Sequence, residues 1–176
     1  MDDRTQTIAT ERLLLRPVGI GDAARLAELA NDFDVARMTT GIPHPYTRAD
    51  ADAYVGRKLA SDRSVDTAFA IQHPGDGFIG VLGFHPRPGT TAPEVGYWLG
   101  RPFWGRGYAT EVARAALDWA GRVWGKRFVV SGHFADNPAS GRVLEKAGFL
   151  YTGVVAPQFS AARGAPAATR MMVWLA

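Results

Sequence analysis

The chain has 176 residues, 47% of them hydrophobic and 21% charged, with 20 Lys and Arg against 17 Asp and Glu for a formal charge of +3. That length fits one domain whose core hides about 70% of the unfolded surface, and the composition excludes disorder, collagen and coiled coil. The absence of cysteine excludes disulfides, Cys-ligated zinc, iron–sulfur clusters and a protein thiol nucleophile, and charges of alternating sign form no nucleic-acid stripe.

Met1 to Thr10 is acidic and polar where a signal peptide is basic and then apolar, and no window approaches about 18 apolar residues. The expectation is a soluble cytoplasmic protein with neither nucleic-acid nor membrane partner. It is read as a single domain over residues 1–176, with a flexible N-terminus over 1–9. Glu11 to Val18 reads as a strand, and Asp22 opens a helix carrying Leu26, Ala27 and Ala30. Thr47 with Asp50 approximates a capping pattern for a second helix through Ala51, Val55 and Leu59. From Ala68 to Leu99, three short apolar stretches separated by Pro and Gly predict an antiparallel meander.

Ala109, Val112, Ala113, Ala116, Leu117 and Ala120 then follow the 3.6-residue period of a third helix, with Glu111, Arg114 and Asp118 on its solvated face. Phe128 to Phe134 predicts a strand. Asn137-Pro138 is an N-cap followed by proline at the first helical position, and Gly148 stops that fourth helix. Leu150 to Phe159 and Met171 to Leu175 close the chain as strands, with an Ala-rich loop from Ala161 to Ala168 between them.

The informative segment runs from Glu94 to Glu111: a strand, a turn with Gly105 and Gly107 around Arg106, and a helix. Glycines let the backbone approach a ligand closely, and the free N–H groups at a helix start favour an anion, diphosphate above all. A Walker loop is disfavoured because Lys58, Lys126 and Lys146 lie outside any glycine loop. A Rossmann fingerprint is disfavoured because Thr110 stands at its third small position and an antiparallel meander precedes it.

The turn Trp104-Gly105-Arg106-Gly107-Tyr108-Ala109-Thr110-Glu111, with Asn137-Pro138-Ala139-Ser140 and Leu144-Glu145-Lys146-Ala147-Gly148-Phe149 after it, resembles the GCN5-related N-acetyltransferases, the GNAT family. Glu11 to Arg16 and Glu94 to Leu99 resemble its branch that acetylates the N-termini of ribosomal proteins at alanine or serine. The resemblance implies an α/β fold: a mixed, mostly antiparallel central sheet of about six to seven strands with four helices on both faces and one splayed parallel strand pair. It implies acetyl-CoA as cosubstrate and an amine as acceptor, with a homodimer as a candidate assembly and no metal.

Carried onto this sequence, the resemblance gives main-chain bonds to the pantetheine arm from Tyr97, Trp98 and Leu99. The pyrophosphate falls to N–H groups of Gly105, Arg106, Gly107, Tyr108, Ala109 and Thr110, with Trp104 also in the cofactor-binding set. Asn137 has two compatible readings, helix cap and polar contact to the cofactor arm. Pro102 departs from the Gln or Arg common there, and Arg101 and Arg106 remain as candidate charges. Leu144 stands where many relatives carry a tyrosine that protonates the thiolate, and Ser140 stands where the ribosomal-protein branch has a serine implied in assisting it, with a plain first-turn residue as the other reading.

An α-amine of pKa near 8 is about one-tenth neutral at pH 7, so a modest base suffices, whereas an alkylamine is only about one part in a thousand neutral. Glu94 is the first candidate base, because strand alternation puts it on one face with Gly96 and Trp98. His133 on the opposing strand and His85 are the alternatives. Substrate selection is expected from the first two helices, the loop His44 to Tyr46, and the Ala-rich loop with Arg163. The expected activity is direct acetyl transfer to a protein or peptide N-terminus. A small-amine acetyltransferase acting on an amino acid, polyamine or antibiotic, and a CoA-binding module without turnover, are the alternatives.

Overall fold

A computed structural model describes residues 6–87 and 89–176. In chain order the elements are β1 (Ile8–Ala9), β2 (Leu14–Pro17), α1 (Ala23–Ala30), α2 (Phe33–Ala36), α3 (Arg48–Ala60), β3 (Thr67–His73), β4 (Gly77–Pro86) and β5 (Pro93–Leu99). There follow α4 (Tyr108–Arg122), β6 (Phe128–Phe134), α5 (Pro138–Lys146), β7 (Leu150–Ser160) and β8 (Ala165–Leu175). One eight-stranded sheet runs in the order β1-β2-β3-β4-β5-β6-β8-β7, and β5–β6 is its parallel pair. The α/β mixed sheet with helices on both faces agrees with expectation.

The eighth strand is β1, whose two residues pair as Ile8↔Leu15 and Ala9↔Leu14. Two residues are too few to display a period. They belong to the stretch read as a flexible N-terminus, of which residues 1–5 lie outside the described residues. A fifth, four-residue helix, α2, forms where Asp32 accepts the Asp34 N–H at 2.9 Å. β2 starts at Leu14 rather than Glu11 because Thr10 and Leu13 close a turn, the Leu13 N–H donating to Thr10 Oγ1 at 3.0 Å. Ala165 to Ala168 belong to β8 rather than to a loop. The tight turn closed by the Gly164 N–H on Ser160 O sets a register, Ser160↔Ala165 to Ala156↔Thr169, in which alanine pairs through its backbone whatever its intrinsic preference.

α3 caps as its sequence predicts, whereas Asp22 makes no side-chain cap on α1 because its carboxylate is taken by Arg16 and the Gly19 N–H. Thr47 and Asp50 form a full capping box on α3, with Asp50 N–H on Thr47 Oγ1 and Thr47 N–H on Asp50 Oδ2. Val112, Ala113, Ala116, Leu117 and Ala120 of α4 are buried, joined by Tyr108 and Trp119. Gly148, at φ 98°, ends α5. Along β4 and β5 the pairs Val81↔Trp98, Gly83↔Gly96 and His85↔Glu94 put six side-chain positions on one face. The opposite face carries Phe84, whose ring packs 6.1 Å from Trp119 of α4.

Candidate active site

β5 and β6 share a single register pair, Glu94↔Val130, and then separate. Ser131 Oγ donates to Val95 O at 2.9 Å just past the fork. From Gly96 to Leu99, the edge of β5 facing β6 therefore carries main-chain donors and acceptors with no ladder partner, which an extended amide-bearing ligand can satisfy. One of the acceptor directions is taken, since Trp104 Nε1–H donates to Leu99 O at 2.7 Å.

At the far end of β5 the chain turns through Gly105 (φ 73°) and Gly107 (φ 79°) into α4. A left-handed backbone is natural only for glycine, which explains both residues. Gly107 is the N-cap and supplies no side chain to the helix, so the first-turn N–H groups of Tyr108, Ala109 and Thr110 remain open at the positive end of a 15-residue helix. They line a cleft of about 500 Å³ with Gly105 and Gly107, between the start of α4 and the side of α5. Tyr97, Trp98, Leu99, Trp104 and Asn137 of the predicted cofactor set line it as well.

The structure does not bring Arg106 or Arg101 into that cleft by side chain. Arg106 lies with its guanidinium 6.0 Å from the Phe103 ring centre, and Arg101 pairs with Asp32 at 2.8 Å. The cations that line the cleft are Arg142 and Lys146 of α5, on the side facing the turn. Neither was singled out for this in the sequence, though their i,i+4 spacing puts them on one helix face.

The turn is fastened from behind. Glu111 accepts the Thr10 hydroxyl at 2.6 Å, the Arg12 N–H at 2.8 Å and Arg12 Nε–H at 2.7 Å, while Arg12 Nη1 donates to Arg106 O at 3.0 Å. The guanidinium also covers the Tyr108 ring at 4.7 Å. Glu111 is thus a clamp rather than part of a solvated face, and Arg114, three residues on and near enough on a helix to pair with it, donates instead to Lys146 O.

On the other side of the fork, toward α3, lies a second cavity of about 550 Å³. The two cavities share Met38, Thr39, Tyr97, Trp98, Asn137 and Ser140, so they meet at the splay. Glu94, His85, Gly96 and Trp98 line this second cavity, as alternation predicts for one face of β5 and its neighbour. Glu94 makes no ion pair among the described residues.

His133 also contributes to the wall but is 5% exposed. Its Nδ1 lies 2.9 Å from Phe134 O and its Nε2 2.9 Å from the Tyr151 hydroxyl. A carbonyl only accepts, so Nδ1 carries the proton and Nε2 takes the Tyr151 hydrogen. Both ring nitrogens of His133 therefore have hydrogen-bond partners. Gly141 is required beside this pair, since a Cβ there would lie 2.8 Å from Nε2.

Tyr97 carries more than a main chain. Its hydroxyl is 2.8 Å from Ser140 Oγ, and burial pushes the phenol up to about 12 against the opposing pull of that hydrogen bond. Two hydroxyls therefore stand protonated at the junction of the cavities. Leu144, with no exposed surface, is core and supplies no acid.

Asn137 caps α5, its Oδ1 accepting the Ser140 N–H at 3.2 Å, and it faces both cavities. Asn137→Ala is expected to cost about 1 kcal/mol of stability through the lost cap. Calorimetric titration should also show weaker acetyl-CoA binding; an unchanged Kd would leave Asn137 as a cap alone.

Arg163 is a fastener rather than a free substrate contact. It pairs with both oxygens of Asp136 at 2.8 and 2.9 Å, donates from Nε to Arg37 O at 2.7 Å and covers the Phe134 ring at 4.8 Å. Together with the Ala161 N–H on Thr40 O, it holds residues 37–40 across the splay, and that pairing keeps the Asp136 carboxyl below its usual range.

A fork of unpaired peptide groups leading to a helix start rich in free N–H groups fits a pantetheine diphosphate in both parts. Comparisons agree with that geometry. Residues 12–150 match the family described as "Acetyltransferase (GNAT) domain". YkkB of Bacillus subtilis (strain 168), an uncharacterized protein, is 31% identical over 163 residues, covering 88% of this chain and 91% of its own. RimJ of Mycobacterium smegmatis in complex with CoA-disulfide superposes with TM-score 0.83 at 21% identity, over 97% of this chain and 88% of that one. Spermidine N-acetyltransferase of Vibrio cholerae, solved with CoA and spermine, gives TM-score 0.76 at 17% identity over 93% and 95% of the two chains. No described helix is long and apolar enough to cross a membrane. With the family matched over most of its length and the splay and glycine turn in place, this chain belongs to the GNAT acetyltransferase family and takes acetyl-CoA as its acyl donor.

Proposed function

We propose that the protein acetylates the N-terminal amine of a protein or peptide directly, with Glu94 as base. The observation that carries this reading is the meeting of two cavities at the splay, with Glu94, which makes no ion pair among the described residues, on the sheet floor of the acceptor side. Bound acetyl-CoA supplies an activated acetyl thioester. Open N–H groups from Gly105 to Thr110 hold the diphosphate and the bare edge of β5 holds the amide arm. Glu94 removes the amine proton, directly or through one water. An α-amine suits a plain carboxylate, because about a tenth of it is already neutral at pH 7 and little proton affinity is demanded of the base. Ser140, hydrogen-bonded to Tyr97, is the hydroxyl positioned to donate toward the leaving sulfur.

The test is thiol release from acetyl-CoA over a panel of N-terminal peptides and small amines. Turnover on peptides at rates above those on lysine or spermidine is the expected result. Turnover confined to small amines would favour the small-molecule reading, and cofactor binding without any turnover would identify a binding module.

A further inference from the structure

Four side chains of fixed charge line the acceptor cavity: Asp50, Arg57, Lys58 and Glu94. Two are already committed. The Lys58 ammonium sits 2.5 Å from Asp66 Oδ1, and the Asp50 carboxylate takes both the N–H and the hydroxyl of Thr47 as the cap of α3. Neighbouring acids are committed too, Asp32 to Arg101, Asp34 to Arg37 and Asp52 to Arg48. Asp50 keeps its charge but is fixed in place by Thr47. Among the described residues Glu94 and Arg57 make no ion pair and no side-chain hydrogen bond.

They stand on different walls. Glu94 is on the sheet floor in β5, and Arg57 is on α3, three residues after Tyr54 and therefore on the same helix face. Its charge is close enough to pull the Tyr46 and Tyr54 phenols down against the burial that pushes both up. Those two phenols, with Trp98 and Val81, form the half-apolar wall of the cavity.

We infer that the acceptor is an amine carrying a carboxylate of its own, its amine directed to Glu94 and its carboxylate to Arg57, with an apolar body between. This rests on the acetyl-transfer reading of the cavity and narrows its substrate class. A guanidinium matches a carboxylate through two parallel hydrogen bonds, which makes Arg57 a specificity-determining residue rather than general positive charge. A polycation is the poorer guest, because Arg57 repels its further ammonium groups and the cavity's other carboxylate, Asp50, is held at the start of α3 by the Thr47 N–H and hydroxyl. The carboxylate has two sources, an acidic residue near the start of a peptide or the C-terminus of a free amino acid or dipeptide.

Matched probes separate these. Thiol release is measured with Ala-Phe-Glu-amide against Ala-Phe-Gln-amide, with the dipeptide Ala-Phe against its amide, and with spermidine. A kcat/KM about tenfold higher for the Glu peptide than for the Gln peptide is expected, and the ratio should fall to about one in Arg57→Ala and invert in Arg57→Glu. A preference confined to Ala-Phe over its amide would assign the carboxylate to a free C-terminus. Equal rates for every matched pair, or spermidine as the best acceptor, would overturn the inference while leaving acetyl transfer intact. Absence of turnover on every amine would instead defeat the acetyl-transfer reading. In that case calorimetric titration of the same peptides decides about Arg57, a Glu-over-Gln preference lost in Arg57→Ala supporting it and equal affinities overturning it.

Discussion

Glu94→Gln is expected to lower kcat on an N-terminal peptide about a hundredfold at pH 7, the lower end of what a positioned general base contributes. Glutamine keeps the size and planarity of the side chain but cannot accept the amine proton. Glu94 lies at the start of β5, opposite His85, whereas the glycine turn follows the other end of that strand. Acetyl-CoA affinity should accordingly stay within a factor of two. The deficit should depend on pH with a definite sign. As pH rises through 8 the free α-amine fraction grows from about a tenth toward unity, less base is needed, and variant and parent rates should converge. A rate equal to the parent's across the profile, or a deficit that widens with alkalinity, would remove Glu94 as the base.

Why Glu94 was legible and the clamp behind the turn was not follows from the range of the interactions. Strand alternation alone puts Glu94 beside Gly96 and Trp98, and a cap, a proline and a closing glycine mark out α5 within a dozen residues. Glu111 offered only the local partner Arg114, and its real partners Thr10 and Arg12 lie 101 and 99 residues away. The same holds for the Tyr97 phenol, read only as backbone, which meets Ser140 across 43 residues, and for Arg163, which reaches back 126 residues to Arg37 O. Neither the splay nor β1 leaves a periodic trace. The fork is set by one register pair, and Ile8–Ala9 is a strand only because Leu14 and Leu15 present an edge to it.

Glu111→Ala is expected to loosen the diphosphate site without touching a residue that lines it. The carboxylate holds the Arg12 backbone and side chain and the Thr10 hydroxyl, and Arg12 in turn supplies the donor to Arg106 O between the two glycines. Removing it strips the guanidinium of its anion and the turn of its fastening. The Arg12 side chain is 44% exposed, so the Coulombic part is screened, and the loss comes mainly from charge-assisted hydrogen bonds, about 1–2 kcal/mol in all. For a domain of this size that is a fall in Tm of roughly 2–8 °C. Acetyl-CoA Kd should rise about tenfold, with kcat at saturation nearly unchanged because the acceptor cavity is on the other side of the fork. Partial burial pushes the Glu111 carboxyl up, but the bonds from Thr10 and Arg12 outweigh it and hold it below its usual range. A carboxyl lowered in the folded state contributes stability in full above its unfolded pKa and loses it as pH falls through the folded one. The Tm gap between parent and variant should therefore be constant from about pH 7 to 5 and close below about pH 4. A gap that persists unchanged into acid would mean that Glu111 acts by packing alone, and an unaltered Kd would detach the clamp from the diphosphate turn.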